Sequence, residues 1–199
     1  MRRIEPSEIL ELATYERARL RLREQVIALK RRRRVTLGPE ISLLFENRAT
    51  VLFQIQELLR AERLVDPAAV RAEIDSYNRL LPGPGELAAT LFVEIADVAH
   101  MTPAQARSAV ERYRGIDRDA LWLHIGGARL PAVFEDAAAP EQRVAAVRYP
   151  RFLVPEAVGQ ALGDERQEAC VELDHPACHA RVRLAPEARA ELMADLARP

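Results

Sequence analysis

Nine basic residues crowd the stretch from Arg17 to Arg34, opposed there by Glu24 alone. Lys30, Arg31, Arg32, Arg33 and Arg34 are consecutive, while Arg17 and Arg21, like Arg19 and Arg23, stand four apart. On a helix a spacing of four puts cations on one face, where they attract carboxylates or phosphates. Arg17, Arg21, Lys30, Arg31, Arg32, Arg33 and Arg34 are therefore the residues expected to bind an acidic partner. A helix that ends within the run would itself favour cations through its dipole, so part of the run has a purely local explanation. Nucleic acid is the third reading of this surface. It would call for exposed stacking aromatics or a recognition helix, and the sequence offers neither.

A second set mixes carboxylates, amides and guanidinium groups: Glu46, Arg48, Gln54, Glu57 and Arg60 around one helical pattern, with His175 far along the chain. Gln54 and Glu57 are three apart, and Gln56 and Arg60 four apart, so each pair shares a face. Such a set could form a pocket for a small ligand or a hard cation, with Glu46, Glu57 and His175 as metal ligands. It equally describes a solvated helix face or a buried polar brace. No HExxH, no paired Glu-x-x-His signature and no glycine-rich phosphate loop is present, so the sequence requires no cofactor.

Cys170, His175, Cys178 and His179 invite a zinc reading. With Asp174–Ala177 as a hairpin loop, Leu173 pairs with Cys178, Glu172 with His179 and Cys170 with Arg181. Cys170 and His179 then share one face and Cys178 takes the other, so four ligands do not converge. His175 serves the turn or stands as a lone ligand or proton carrier. Trp122 and His124 share a strand face, expected beneath a packed helix.

These residues need elements to position them. The chain has 199 residues, 49% of them apolar, enough for a substantial core. Residues 1–81 carry 16 basic and 12 acidic groups and the remainder 13 and 18, so the two halves differ in sign. Two cysteines make no disulfide framework. No apolar run approaches the roughly 18 residues of a membrane span, and MRRIEPSEILEL lacks the apolar core of a signal peptide. The expectation is a cytoplasmic protein with no membrane contact.

Ser7 is suited to cap a short helix, and Thr14 a longer one with the stripe Tyr15, Ala18, Leu22, Val26 and Leu29. Gly38-Pro39 breaks the chain before a strand at Ile41, Leu43 and Phe45. Asn47 or Thr50 opens a helix with Val51, Leu52, Ile55, Leu58 and Leu59 inward, and Asp66-Pro67 opens another. Pro82-Gly83-Pro84-Gly85 is the seam. Strands follow at Glu86–Ile95, Leu121–Ile125, Leu130–Phe134 and Arg143–Val154, then the hairpin Glu168–Leu173 and Cys178–Leu184. Helices start at Thr102-Pro103, Pro155 and Pro186. The fold class predicted is α+β: a mostly helical N-terminal half, 1–81, packed on a mainly antiparallel half, 82–199, with a C-terminal helix, in one compact unit.

The segment KRRRRVTLGPEISLLFENRATVLFQIQELLRAER resembles an uncharacterised bacterial family, a domain of unknown function. The similarity continues through Tyr77-Asn78 with Leu80-Leu81-Pro82, Glu86–Leu91 and Asp174-His175-Pro176. The resemblance implies a tyrosine as the common residue at Cys178, against a cysteine-based metal site. Genes of that family often lie beside those of rubrerythrin-like di-iron proteins and iron–sulfur oxidoreductases, which implies a redox or oxidative-stress setting. The function expected is a cytoplasmic accessory protein that binds such a partner, ahead of a small-ligand or metal-binding enzyme.

Overall fold

The computed structural model describes residues 1–134 and 146–197. An N-terminal segment with a single 3-10 turn at Pro6–Glu8 leads into α1, Leu12–Arg33. This helix starts ahead of Thr14, with Glu11 at its cap position, and Ser7 caps nothing. Asn47 does open α2, Arg48–Glu62: its side chain accepts from the Thr50 N–H at 3.0 Å while Thr50 Oγ1 accepts from the Asn47 N–H at 2.9 Å. That reciprocal pair satisfies two amides a helix start leaves orphaned. Asp66 caps α3, Pro67–Tyr77, with a single bond, accepting from the Ala69 N–H at 2.9 Å.

All strand pairings are antiparallel among the described residues. The first sheet contains β1 (Arg34–Thr36), β2 (Ile41–Phe45) and β3 (Glu86–Val93) in sequence. After α4, Pro103–Glu111, come β4 (Leu121–Ile125), β5 (Ala128–Pro131) and β6 (Val133–Phe134). The chain then runs through β7 (Val147–Arg148), β8 (Pro150–Leu153) and α5 (Glu156–Gln160) to the hairpin β9 (Ala169–His175) and β10 (Cys178–Arg183). α6, Pro186–Leu196, ends the described chain. The first sheet has the order β1-β2-β3-β8-β6, with β7 also on β3; the second has the order β10-β9-β4-β5. The expected strand Arg143–Val154 corresponds to β7 and β8, and its positions 143–145 lie outside the described residues. Gly126 and Gly127 join β4 to β5, both with positive φ, the conformation a two-residue turn of this hand demands.

The two sheets face each other over one apolar cluster, in which Leu43, Phe45, Leu91, Leu121, Val171 and Leu192 are buried. A second cluster joins the N-terminal segment to α2 and α3 through Ile4, Val51, Ile55, Leu59, Ile74 and Leu81. The fold is α+β. One sheet crosses the Pro82–Gly85 seam, because β2 pairs with β3 over five residues, Ile41↔Val93 to Phe45↔Ala89.

Candidate functional site

The cations of α1, with Arg34 that follows it at the start of β1, divide into two populations. Arg19 forks onto Glu57, with Nε to Oε1 and Nη2 to Oε2 both at 2.8 Å. Arg32 donates to Glu191 at 2.9 Å. Arg34 donates to Ser42 and reaches Glu94 at 3.4 Å, with its guanidinium 5.0 Å from the centre of the Phe92 ring. Arg33 corrects the expectation of a wholly exposed run: it is 0% exposed. Its guanidinium donates to the Phe45 carbonyl at 2.9 Å and the Glu46 carbonyl at 3.3 Å, and it pairs with Glu191 and Asp195 of α6. Helical rotation explains this. Arg33 lies eighteen residues, five turns, after Tyr15, and both sit on the stripe that faces the protein. The remaining five, Arg17, Arg21, Arg23, Lys30 and Arg31, have no ion pair with a carboxylate among the described residues, and all but half-buried Lys30 are exposed.

The second predicted set does not form one pocket. Glu46 and Gln54 do meet: the Glu46 carboxylate, 2% exposed, accepts from Gln54 at 3.1 Å, from Thr90 at 2.7 Å and from the Thr50 hydroxyl. It is a polar brace between β3 and α2. Arg48 turns to Glu8 and the Arg2 carbonyl at the N-terminal segment. Glu57 and Arg60 join a different group, in which the Tyr15 hydroxyl donates to Glu57 at 2.7 Å and Arg60 lies 3.4 Å away. Hydrogen bonding from Arg19, helped by Tyr15 and by the charges of Arg19 and Arg60, holds the Glu57 carboxyl down at about 2.

His175 is in the other sheet, buried beside the Tyr113 ring. Its Nδ1 accepts from the Ala177 N–H at 3.2 Å and its Nε2 meets the Arg114 carbonyl at 3.1 Å. An N–H on one side and a carbonyl on the other fit the tautomer with hydrogen on Nε2, so both ring nitrogens are committed. The residue anchors the hairpin turn rather than addressing Glu46 or Glu57. Among the described residues no three His, Cys, Asp or Glu side chains assemble into a group able to hold a metal ion, and the Glu46–Glu57–His175 set is corrected on that geometry.

The hairpin register differs by two residues from the expected one: Cys178 pairs with His175, His179 with Asp174, and Cys170 with Arg183. An even slip leaves every side chain on its face, so Cys170 and His179 still share one side and Cys178 takes the other. Burial pushes both thiols up. Trp122 and His124 both meet charged side chains of the neighbouring strands. Arg129 stacks 3.8 Å from the Trp122 ring centre, and His124 Nε2 comes within 3.0 Å of Glu172 without hydrogen-bond geometry.

Sequence spacing missed two amides. Gln56 brackets Leu10, accepting its N–H and donating to its carbonyl at 2.9 Å each. Asn78 treats Ile4 the same way at 2.8 and 3.0 Å. It also missed Glu191 and Asp195, the acids that answer Arg33 from α6; no local pattern links them to α1.

The chain belongs to the family described as "Protein of unknown function (DUF3501)", whose model matches residues 3–196. It is similar in structure to a novel protein of unknown function from Burkholderia pseudomallei K96243, solved by crystallography at 1.90 Å. That likeness has a TM-score of 0.87 and 30% identity, over 98% of this chain and 100% of the other. No curated protein matches the chain.

Proposed function

We propose that this protein is a cytoplasmic accessory factor that binds an acidic protein partner through the cationic surface of α1. The observation that supports it is the division of charge along that helix and at Arg34, which follows it. Arg19, Arg32, Arg33 and Arg34 find acids within the fold, while Arg17, Arg21, Arg23, Lys30 and Arg31 do not. Unpaired guanidinium groups along one rigid helix raise the local concentration of an acidic partner and orient it on approach. The redox setting implied by the family resemblance supplies the first partners to test, a rubrerythrin-like di-iron protein and an iron–sulfur oxidoreductase. The dispersal of Glu46, Glu57 and His175 supports this reading over the small-ligand pocket.

The test is the fourfold reversal of Arg17, Arg21, Arg23 and Arg31 to Glu, with association measured by isothermal titration calorimetry after nuclease treatment. The expected result is a loss of affinity of roughly a hundredfold or more, a steep fall of wild-type affinity with salt, and an unchanged circular dichroism spectrum. Undiminished association of the variant overturns the docking surface. Binding that disappears on nuclease treatment reassigns it to nucleic acid.

A further inference from the structure

The basic surface of α1 borders an apolar groove, and we infer that this groove receives an acidic amphipathic helix of the partner, an inference that rests on the docking reading above. Leu22, Val26 and Leu29 of α1 stand four and three apart along one wall, and Leu52 and Phe53 of α2 line the other. All five are half-buried, so the stripe that should be covered is only partly covered by α2. The groove holds about 390 Å3, within the range in which pockets bury inserted side chains. Leu22 to Leu29 covers about 10 Å at the helical rise, room for two turns of a docked helix.

Charge selects the occupant. Gln25 lines the groove, and Arg21 precedes it by one turn on the same edge, with Arg17 one turn further. At the far side Arg2 and Arg48 meet Glu8. Four guanidinium groups against two carboxylates, Glu8 in the lining and Glu24 on the helix face of Arg17 and Arg21, favour a ligand whose apolar stripe is flanked by acids. The apolar lining, Leu22, Val26 and Leu29 with Leu52 and Phe53, suits inserted Leu, Ile or Phe side chains. A second copy related by a twofold axis would bring the same arginines against themselves.

The probe is a fluorescein-labelled, stapled helix of about sixteen residues, with Leu at three positions spaced four and three apart and Glu on both flanks. Its controls replace Leu by Ala, or Glu by Lys. Fluorescence polarisation with the full chain is expected to give a Kd in the range of about 1–100 μM for the Leu/Glu helix, at least about tenfold tighter than either control. Ala49→Trp, which fills the groove from an exposed position, and Val26→Glu, which makes its floor polar, should each weaken binding about tenfold or more while circular dichroism stays native. Equal binding of the Leu and Ala helices, or no binding of any, overturns the groove as the site. So does self-association of the protein that Ala49→Trp abolishes, which would install a second copy there. The two readings fail separately. Partner association that survives Ala49→Trp but not reversal of Arg17, Arg21, Arg23 and Arg31 removes the groove and keeps the docking surface; survival of both removes both.

Discussion

Glu57 gathers the donors of two side chains and the charge of a third onto one carboxylate. Arg19 supplies two parallel hydrogen bonds, Tyr15 one, and Arg60 a neighbouring charge. The arrangement is reciprocal: burial first, and then the hydrogen bond to Glu57, push the Tyr15 hydroxyl above its ordinary range. The depressed Glu57 carboxyl, near 2 against an ordinary 4.5, fixes the sign of the linkage. Stability from this group is complete above the unfolded value and is lost as pH falls from about 4.5 towards 2. Both Arg19 and Glu57 are 26% exposed, so screening discounts the contribution to the order of 1 kcal/mol. Glu57→Gln should accordingly lower stability by roughly 1–2 kcal/mol at neutral pH, and the gap to the unaltered protein should close in acid. Urea unfolding at about pH 7 and about pH 3 measures both. A gap independent of pH would show that Glu57 acts by packing rather than by charge.

The N-terminal segment, Met1 to Glu11, is an element without repeating structure of its own, and the two bracketing amides account for its position. Gln56 and Asn78 each donate a side-chain N–H to a backbone carbonyl and accept a backbone N–H, replacing the ladder that a neighbouring strand would provide. Ile4 then enters the helical cluster at 1% exposure. Asn78→Ala leaves both backbone groups of Ile4 unsatisfied in a buried place and should cost about 1–3 kcal/mol. Amide hydrogen exchange would show the Ile4 amide opening faster, with the second sheet protected as before. Gln56→Ala should do the same to Leu10, at the smaller end of that range because Leu10 is 38% exposed. Exchange at Ile4 unchanged by Asn78→Ala would mean that packing alone seats the segment. Elements differ in how legibly they were written. The caps at Asn47 and Asp66 could be read because donor and acceptor lie within one turn. The hairpin faces could be read despite the wrong register because a slip of two conserves the pleat. The partners of Gln56 and Asn78 lie 46 and 74 residues away, and an amide that brackets backbone leaves no spacing to find. Periodicity also showed which side of α1 faces the protein. It could not show that α2 would cover that stripe only in part, because coverage depends on the neighbour rather than the helix.

At the scale of the whole molecule, two apolar clusters are tied by hydrogen bonds and buried charge as well as by contact. β2 and β3 pair across the seam, and the Glu46 carboxylate joins Thr90 of β3 to Thr50 and Gln54 of α2. Arg33 then fastens the end of α1 to the Phe45 and Glu46 carbonyls on one side and to Asp195 of α6 on the other, 162 residues away in the chain. Ties of this kind couple the halves, so the protein should unfold in one transition. The single tryptophan, Trp122, reports the second sheet, while the helices α1 to α3 dominate far-ultraviolet dichroism. The two signals should coincide in urea. Removing Arg33 takes its guanidinium from an acid that is 5% exposed and from two carbonyls, so Arg33→Met should cost about 3–5 kcal/mol. Pairing it with Asp195→Leu removes the buried charge as well and should restore part of that loss. The decisive comparison is the tryptophan transition of Arg33→Met. If the halves share one cooperative unit, it moves together with the dichroism, because the second sheet can no longer fold without the helices that Arg33 secures. A tryptophan transition that stays where it was, while the helical signal melts early, would mean that the sheets stand without α1 and that the charge carried on α1 belongs to a separable module.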